Sequence, residues 1–166
     1  MLVISIERFI LIAASGGVVI SIFYIPKSKR RQALVSFIAF QATTWAVANI
    51  LVQTGAVAFP AREFQTATRV GFSQNFFVFP MVFTWFVLLY PSKLHFIYRL
   101  LHCVVFISII VCIVYFFSIY TDLEEFMKGT KTSQLIRLYR DFTLQFILCH
   151  TYVKWFFKKS ANLLGV

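Results

Sequence analysis

A chain of 166 residues that is 60% hydrophobic, 19% aromatic and only 13% charged, with a mean hydropathy of +0.80, cannot cover its own surface in water. Soluble domains are about a quarter charged, so part of the solvent here must be lipid. The net charge of +10 does not indicate nucleic acid. The basic residues fall in short clusters between apolar runs, Lys27, Lys29, Arg30 and Arg31 being the densest, a distribution that suits anionic headgroups and orientation signals.

A hydrocarbon core about 30 Å thick takes about 20 apolar residues in a helix, and five segments qualify. The first, 9–25, stops at Pro26 and the basic cluster; its stronger charge follows the apolar run, as in an uncleaved anchor and unlike a signal peptide. The second, 33–59, ends at Pro60, and the third, 70–90, ends at Pro91 with Pro80 about halfway along. The fourth, 96–120, holds the dense apolar stretch 104–117, and the fifth, 135–157, opens on charged residues and closes on lysines. All five are expected as helices, because a segment in lipid must satisfy its backbone groups internally, and the alternation of a membrane β-barrel is absent. The expectation is thus an all-α, polytopic integral membrane protein: one membrane domain, 1–166, built as a bundle of five transmembrane helices.

Five spans place the termini on opposite sides. Lys27, Lys29, Arg30, Arg31, Lys93, Arg99, Lys158 and Lys159 collect on one side; Arg8, Arg62, Arg69, Lys128 and Lys131, offset by acids, collect on the other. The lysine and arginine excess stays in the cytoplasm, which gives N-terminus out and C-terminus in.

Ala13, Gly17 and Ser21 recur every four residues in the first span, a small-xxx-small face that lets helices approach closely. In the second, Ala39, Ala42, Ala46, Asn49, Gln53 and Ala56 share one face. Because unpaired amides are costly in hydrocarbon, that face is expected to turn away from lipid, with Asn49 and Gln53 bonding to neighbouring helices or lining a polar path.

Candidate chemistry is sparse. Cys103, Cys112 and Cys149 lie in apolar runs and read as small buried hydrophobes. His102–Cys103 and Cys149–His150 offer zinc-ligand types, but adjacent helical residues point about 100° apart, so neither a metal nor a cofactor is expected. Gly129-Thr130-Lys131-Thr132-Ser133 lacks the first glycine of a phosphate loop. Asp122, Glu124 and Glu125 read as a solvated acidic loop, and with no acid clearly at mid-membrane no enzyme is expected. The remaining charges, Arg137, Arg140 and Asp141, enter the head of the fifth span. Arginine can snorkel from that depth but aspartate cannot, so Asp141 wants a partner: Arg137 one turn before it, or Arg62 or Arg69 from the loop on the same side. Together with Arg62 they form a candidate polar or ion cluster.

F-P-A-R-E-F (59–64), N-F-F-V-F-P (75–80) and the run from Tyr120 to Phe142 resemble a family of small uncharacterised multi-spanning membrane proteins of endospore-forming bacilli and clostridia. The resemblance spans about residues 33–158, with Phe142 where the family commonly has tryptophan. It implies a membrane protein of a Gram-positive spore-former, carries no established activity over to this chain, and directs attention to Pro60, Arg62, Asn75, Pro80, Tyr139 and Arg140. A proline at 80 frees the carbonyl near Phe76 and can kink its helix.

The functional expectation is a non-enzymatic integral protein of the cell membrane or spore membrane, an assembly or accessory subunit whose partners are the bilayer and a second copy or another membrane protein. The alternative is an oligomeric channel or transporter component with its path near Asn49 and Gln53.

Overall fold

Three helices are long and apolar enough to cross a membrane: Ile6–Phe23, Lys27–Gln53 and Phe96–Tyr120. They belong to a computed structural model that describes residues 6–64 and 66–163, with side chains described as far as Lys158. Lys159, expected among the basic residues of the C-terminal end, therefore lies outside the described side chains. Among the described residues the chain is mostly helical, with α1 at Ile6–Phe23, α2 at Arg30–Gln53, α3 at Phe79–Leu88, α4 at Phe96–Tyr120 and α5 at Lys131–Leu163. A 3-10 turn, Lys27–Lys29, leads into α2, and a π-helical turn, Gln74–Val78, runs directly into α3. Two-residue strands, β1 at Val57–Ala58 and β2 at Glu125–Phe126, pair antiparallel.

The expected third span is corrected to a shorter helix. It begins at Gln74 rather than near residue 70, and Gln74–Leu88 is about 22 Å long at about 1.5 Å per residue. It can be short because it is surrounded by protein: Phe79, Pro80, Met81, Phe83, Thr84, Phe86, Val87 and Leu88 are all buried. A helix apolar on every side belongs in the middle of a bundle. The second span is likewise shorter than 33–59. Its helix ends at Gln53, and Gly55, at φ +64, turns the chain into β1. Only glycine takes that left-handed conformation without strain.

Pro80 accounts for the π turn. With no N–H it leaves the carbonyl one turn back without its usual donor, and the backbone widens so that Phe79 N–H reaches Gln74 O, five residues back. The turn is braced from α2, where the buried Thr44 hydroxyl lies 3.0 Å from Asn75 O, and from within, where Asn75 Nδ2 donates to Gly71 O at 2.9 Å.

Around α3 the core is aromatic. Phe40 of α2 stacks on Phe83 at 4.4 Å between ring centroids, and Phe146 of α5 meets both edge-on at 5.3 and 5.1 Å. Such edge and offset pairs add to the burial of the rings themselves. The buried stripe of α2 is Ala33, Ser36, Phe40, Thr44 and Ala48. The expected inward face of small and polar residues is thus rotated away from the core: Ala42, Ala46 and Gln53 are exposed. Phe40 and Thr44 decide the rotation, since one fills the aromatic core and the other serves the π turn.

At the opposite end from the strands, Lys29 donates to Leu88 O at 2.9 Å, satisfying a carbonyl at the C-terminus of α3 where a cation is favoured. Tyr139 of α5 and Ser108 of α4 share a hydrogen bond of 3.0 Å. α1 is the exception to this packing, with only Leu11 and Val18 buried. The central ring should dominate stability: Phe83→Ala is expected to destabilise by about 3 kcal/mol in thermal or denaturant unfolding in detergent, whereas Ile12→Ala on the open face of α1 changes little.

Candidate functional site

β1 and β2 tie the 54–73 loop to the 121–130 loop, with Val57 opposite Phe126 and Ala58 opposite Glu125. Ala61 N–H donates to Asp122 O at 2.8 Å, Met127 N–H to Ala56 O at 3.1 Å, and the Lys128 ammonium to Thr54 O at 2.8 Å. This clamp buries Leu123 and, with 6% of its surface exposed, Glu124, while Asp122 and Glu125 stay exposed. The expected solvated loop is therefore corrected at one of its three acids. Burial pushes the Glu124 carboxyl up to about 8, so it is largely protonated at neutral pH.

Beneath the clamp lies a chamber of about 50 Å³ whose polar lining is Thr44, Asn75, Glu124, Arg137, Asp141 and Gln145. A water needs about 10–15 Å³ of such space, so the chamber suits a few waters and not an organic solute. Gln145 is 5% exposed, and its Oε1 has no hydrogen-bond partner among the described residues. A buried carbonyl oxygen in that condition calls for water or a donor. On the other side of Glu124 an open vestibule of about 340 Å³ is lined by Glu7, Ser118, Tyr120, Asp122 and Glu125, with Glu124 at its inner wall.

Of the candidate ion cluster, Arg137 and Asp141 line the chamber. The partner of Asp141 is Arg140, whose Nε and Nη2 both lie 2.8 Å from Oδ1. Neighbours in a helix do not face one another, but a side chain as long as arginine reaches around from its exposed position, and so exposed a pair contributes little stability. Arg137 donates to Lys128 O at 3.4 Å, and Arg62 donates to Phe59 O at 2.9 Å in its own turn. Arg62 and Arg140 are not among the chamber residues.

Asn49 and Gln53 lie elsewhere. They line an open groove of about 540 Å³ with Trp45, Arg69 and Phe72, and the Asn49 amide donates to Trp45 O in its own helix at 2.8 Å. Of the remaining positions that the resemblance singled out, Pro60 is exposed beside β1, Asn75 and Pro80 sit at the π turn, and Tyr139 joins α5 to α4. His102 Nε2 lies 3.0 Å from Phe86 O, and Cys149 Sγ lies 3.2 Å from Thr43 Oγ1. Among the described residues no three His, Cys, Asp or Glu side chains converge to hold a metal ion.

Glu63 fixes the loop to the π turn. Its two carboxylate oxygens accept Ser73 N–H at 2.9 Å and Phe72 N–H at 3.1 Å. Partial burial pushes its carboxyl upward, but hydrogen bonds from the Ser73 side chain and from backbone N–H groups prevail and hold it below the usual carboxylate range.

No family model, curated protein or solved structure matches the chain.

Loss of the Glu63 cap should be visible in pH-dependent unfolding. Glu63→Ala is expected to cost about 1 kcal/mol at neutral pH. Because the folded carboxyl titrates below its ordinary value of 4.5, the wild-type advantage is present above that value and disappears as pH falls through the lower folded one. Thermal unfolding of both proteins in detergent across that range measures it.

Proposed function

We propose that the chain is a five-span membrane protein, N-terminus out and C-terminus in, that works as a non-enzymatic assembly or accessory subunit of a larger membrane complex. The observation that carries the reading is the state of α1. Only 11% of this 18-residue apolar helix is buried, and a Cβ added at Gly16 or Gly17 would meet nothing within 4 Å. Ala13 and Gly17 thus present a small-residue face to the outside of the molecule. In lipid, small residues favour close packing against another helix, where backbone contacts replace the acyl chains. The exposed Ala42 and Ala46 of α2, beside a groove formed with Leu148 and Tyr152 of α5, extend the same character to a second face.

The orientation rests on the charge distribution. The end with Lys27, Arg30, Arg31, Lys93 and Arg99 carries the basic excess, while Glu63, Asp122 and Glu125 belong to the strand-clamped end. α5, with 33 residues, is long enough to cross with its charges toward both ends, and the short α3 completes its crossing inside the protein.

Two measurements test these statements. In a protein with Cys103, Cys112 and Cys149 replaced by alanine, an impermeant maleimide is expected to label Thr130→Cys on intact cells and Ser28→Cys only after permeabilisation; the reverse pattern overturns the orientation. Gly17→Leu is expected to leave thermal stability unchanged, since the site is open, while reducing recovery of a photo-crosslinked membrane-protein partner from α1 several-fold. Adducts to lipid alone in the unsubstituted chain would overturn the subunit reading.

A further inference from the structure

Glu124 is on the wall of both spaces at the clamped end: the open acidic vestibule and the smaller chamber. Glu124 is therefore shared by the two spaces. The main chain fixes it there, because Asp122 O is held by Ala61 N–H and β2 is held by β1. On the chamber side stands a second, separate sign that something polar enters: the unpartnered Oε1 of Gln145, in a side chain 95% removed from contact with the exterior, its exposure being 5%.

From these placements we infer that Glu124 is a proton-exchange site, taking a proton from water in the vestibule and sharing it with the water-sized chamber behind. The ligand is a proton carried by water. A metal ion fits poorly, since no three ligating side chains converge among the described residues. An organic solute does not fit in about 50 Å³.

The step balances simply. A hydronium ion in the vestibule gives a proton to the Glu124 carboxylate, an O–H bond forms, and neutral water leaves. In reverse, the carboxyl O–H returns the proton to water on either side.

Burial favours the loaded state, and like charges nearby act in the same direction. Glu7 from α1 and Asp122 and Glu125 from the clamp line the vestibule, together with Tyr120. Arg137 and Asp141, the latter held by Arg140, are the ionisable groups that α5 places on the chamber. α2 contributes Thr44 with apolar neighbours, the π turn contributes Asn75, and α3 and α4 contribute apolar Phe79 and Val114. Deprotonation thus creates a buried carboxylate whose nearest basic group on the chamber wall is Arg137. The upward displacement of the carboxyl by burial agrees with exchange in the neutral to mildly alkaline range. The inference goes beyond the subunit reading and holds whether or not α1 has a partner.

The experiment is pH-difference infrared spectroscopy of the whole protein in lipid nanodiscs, following the protonated-carboxyl stretch. One such band is expected at pH 6 and lost with a midpoint near 8, and Glu124→Gln is expected to abolish it. The vestibule variant Glu7→Gln/Asp122→Asn/Glu125→Gln, which keeps Glu124, is expected to retain the band with a lower midpoint, because it removes neighbouring negative charge that adds to the effect of burial. It also provides the decision if Glu124→Gln does not fold. The inference is overturned if the wild-type band is absent at pH 6, if the band survives Glu124→Gln, or if the vestibule variant leaves the midpoint unmoved.

Discussion

Pro80 has no N–H to offer in a helix surrounded by apolar side chains, where water is not at hand to take its place. Much of the molecule is arranged around that missing donor. The π turn re-pairs Gln74 O with Phe79 N–H, and the widened backbone brings Asn75 O to the Thr44 hydroxyl of α2. Thr44 in turn fixes how α2 rotates about its axis, and with it which side chains of α2 reach the core. Upstream, Gly71 lets Phe59 approach: a Cβ there would lie 3.1 Å from the ring, tighter than most real Cβ contacts. Glu63 then caps the entry to the turn. A single backbone constraint thus organises the loop, the short helix and the face that α2 presents.

The same constraint separates what local sequence reveals from what it does not. Apolar run lengths identified all five helical regions, and the fourth matched residue for residue, because lipid-compatible segments must be continuous and helical. The rotation of α2 was hidden. Small residues and amides on one face read as a packing stripe, yet Phe40 and Thr44 on another face had partners that only the fold supplies: the Phe83 ring and the Asn75 carbonyl. The start of α3 was hidden for a similar reason, since residues 70–73 are apolar enough for a span but are committed to capping by Glu63 and to close approach at Gly71.

Asp141 and Glu124 show the limit most clearly. The sequence singled out Asp141 as the charge needing explanation, and its neighbour Arg140 satisfies it from the outside. Glu124, between Asp122 and Glu125, looked like one more acid in a solvated loop. Nothing local distinguishes it. What buries it is a two-residue strand pair between positions nearly seventy apart, Val57 with Phe126 and Ala58 with Glu125, too short to have a periodicity of its own. The only local trace is Leu123, an apolar residue among acids, which marks where the loop turns inward.

The clamp also gives the buried acid its particular character. A carboxyl buried by flexible side chains could swing out to water when ionised and escape the penalty of desolvation. Here the carbonyl of Asp122 and the backbone of Glu125 are both tied to the 54–73 loop, so the main chain at Glu124 cannot move outward without unpairing β1 from β2 and releasing Ala61 N–H. Loss of the proton leaves a charge on a residue only 6% exposed, and relief comes from water on the vestibule side, from water entering beside Gln145, or from loosening of the clamp. The last of these routes runs through the pairing of the two loops that close this end of the bundle, one of which Glu63 also fastens to the entry of the π turn.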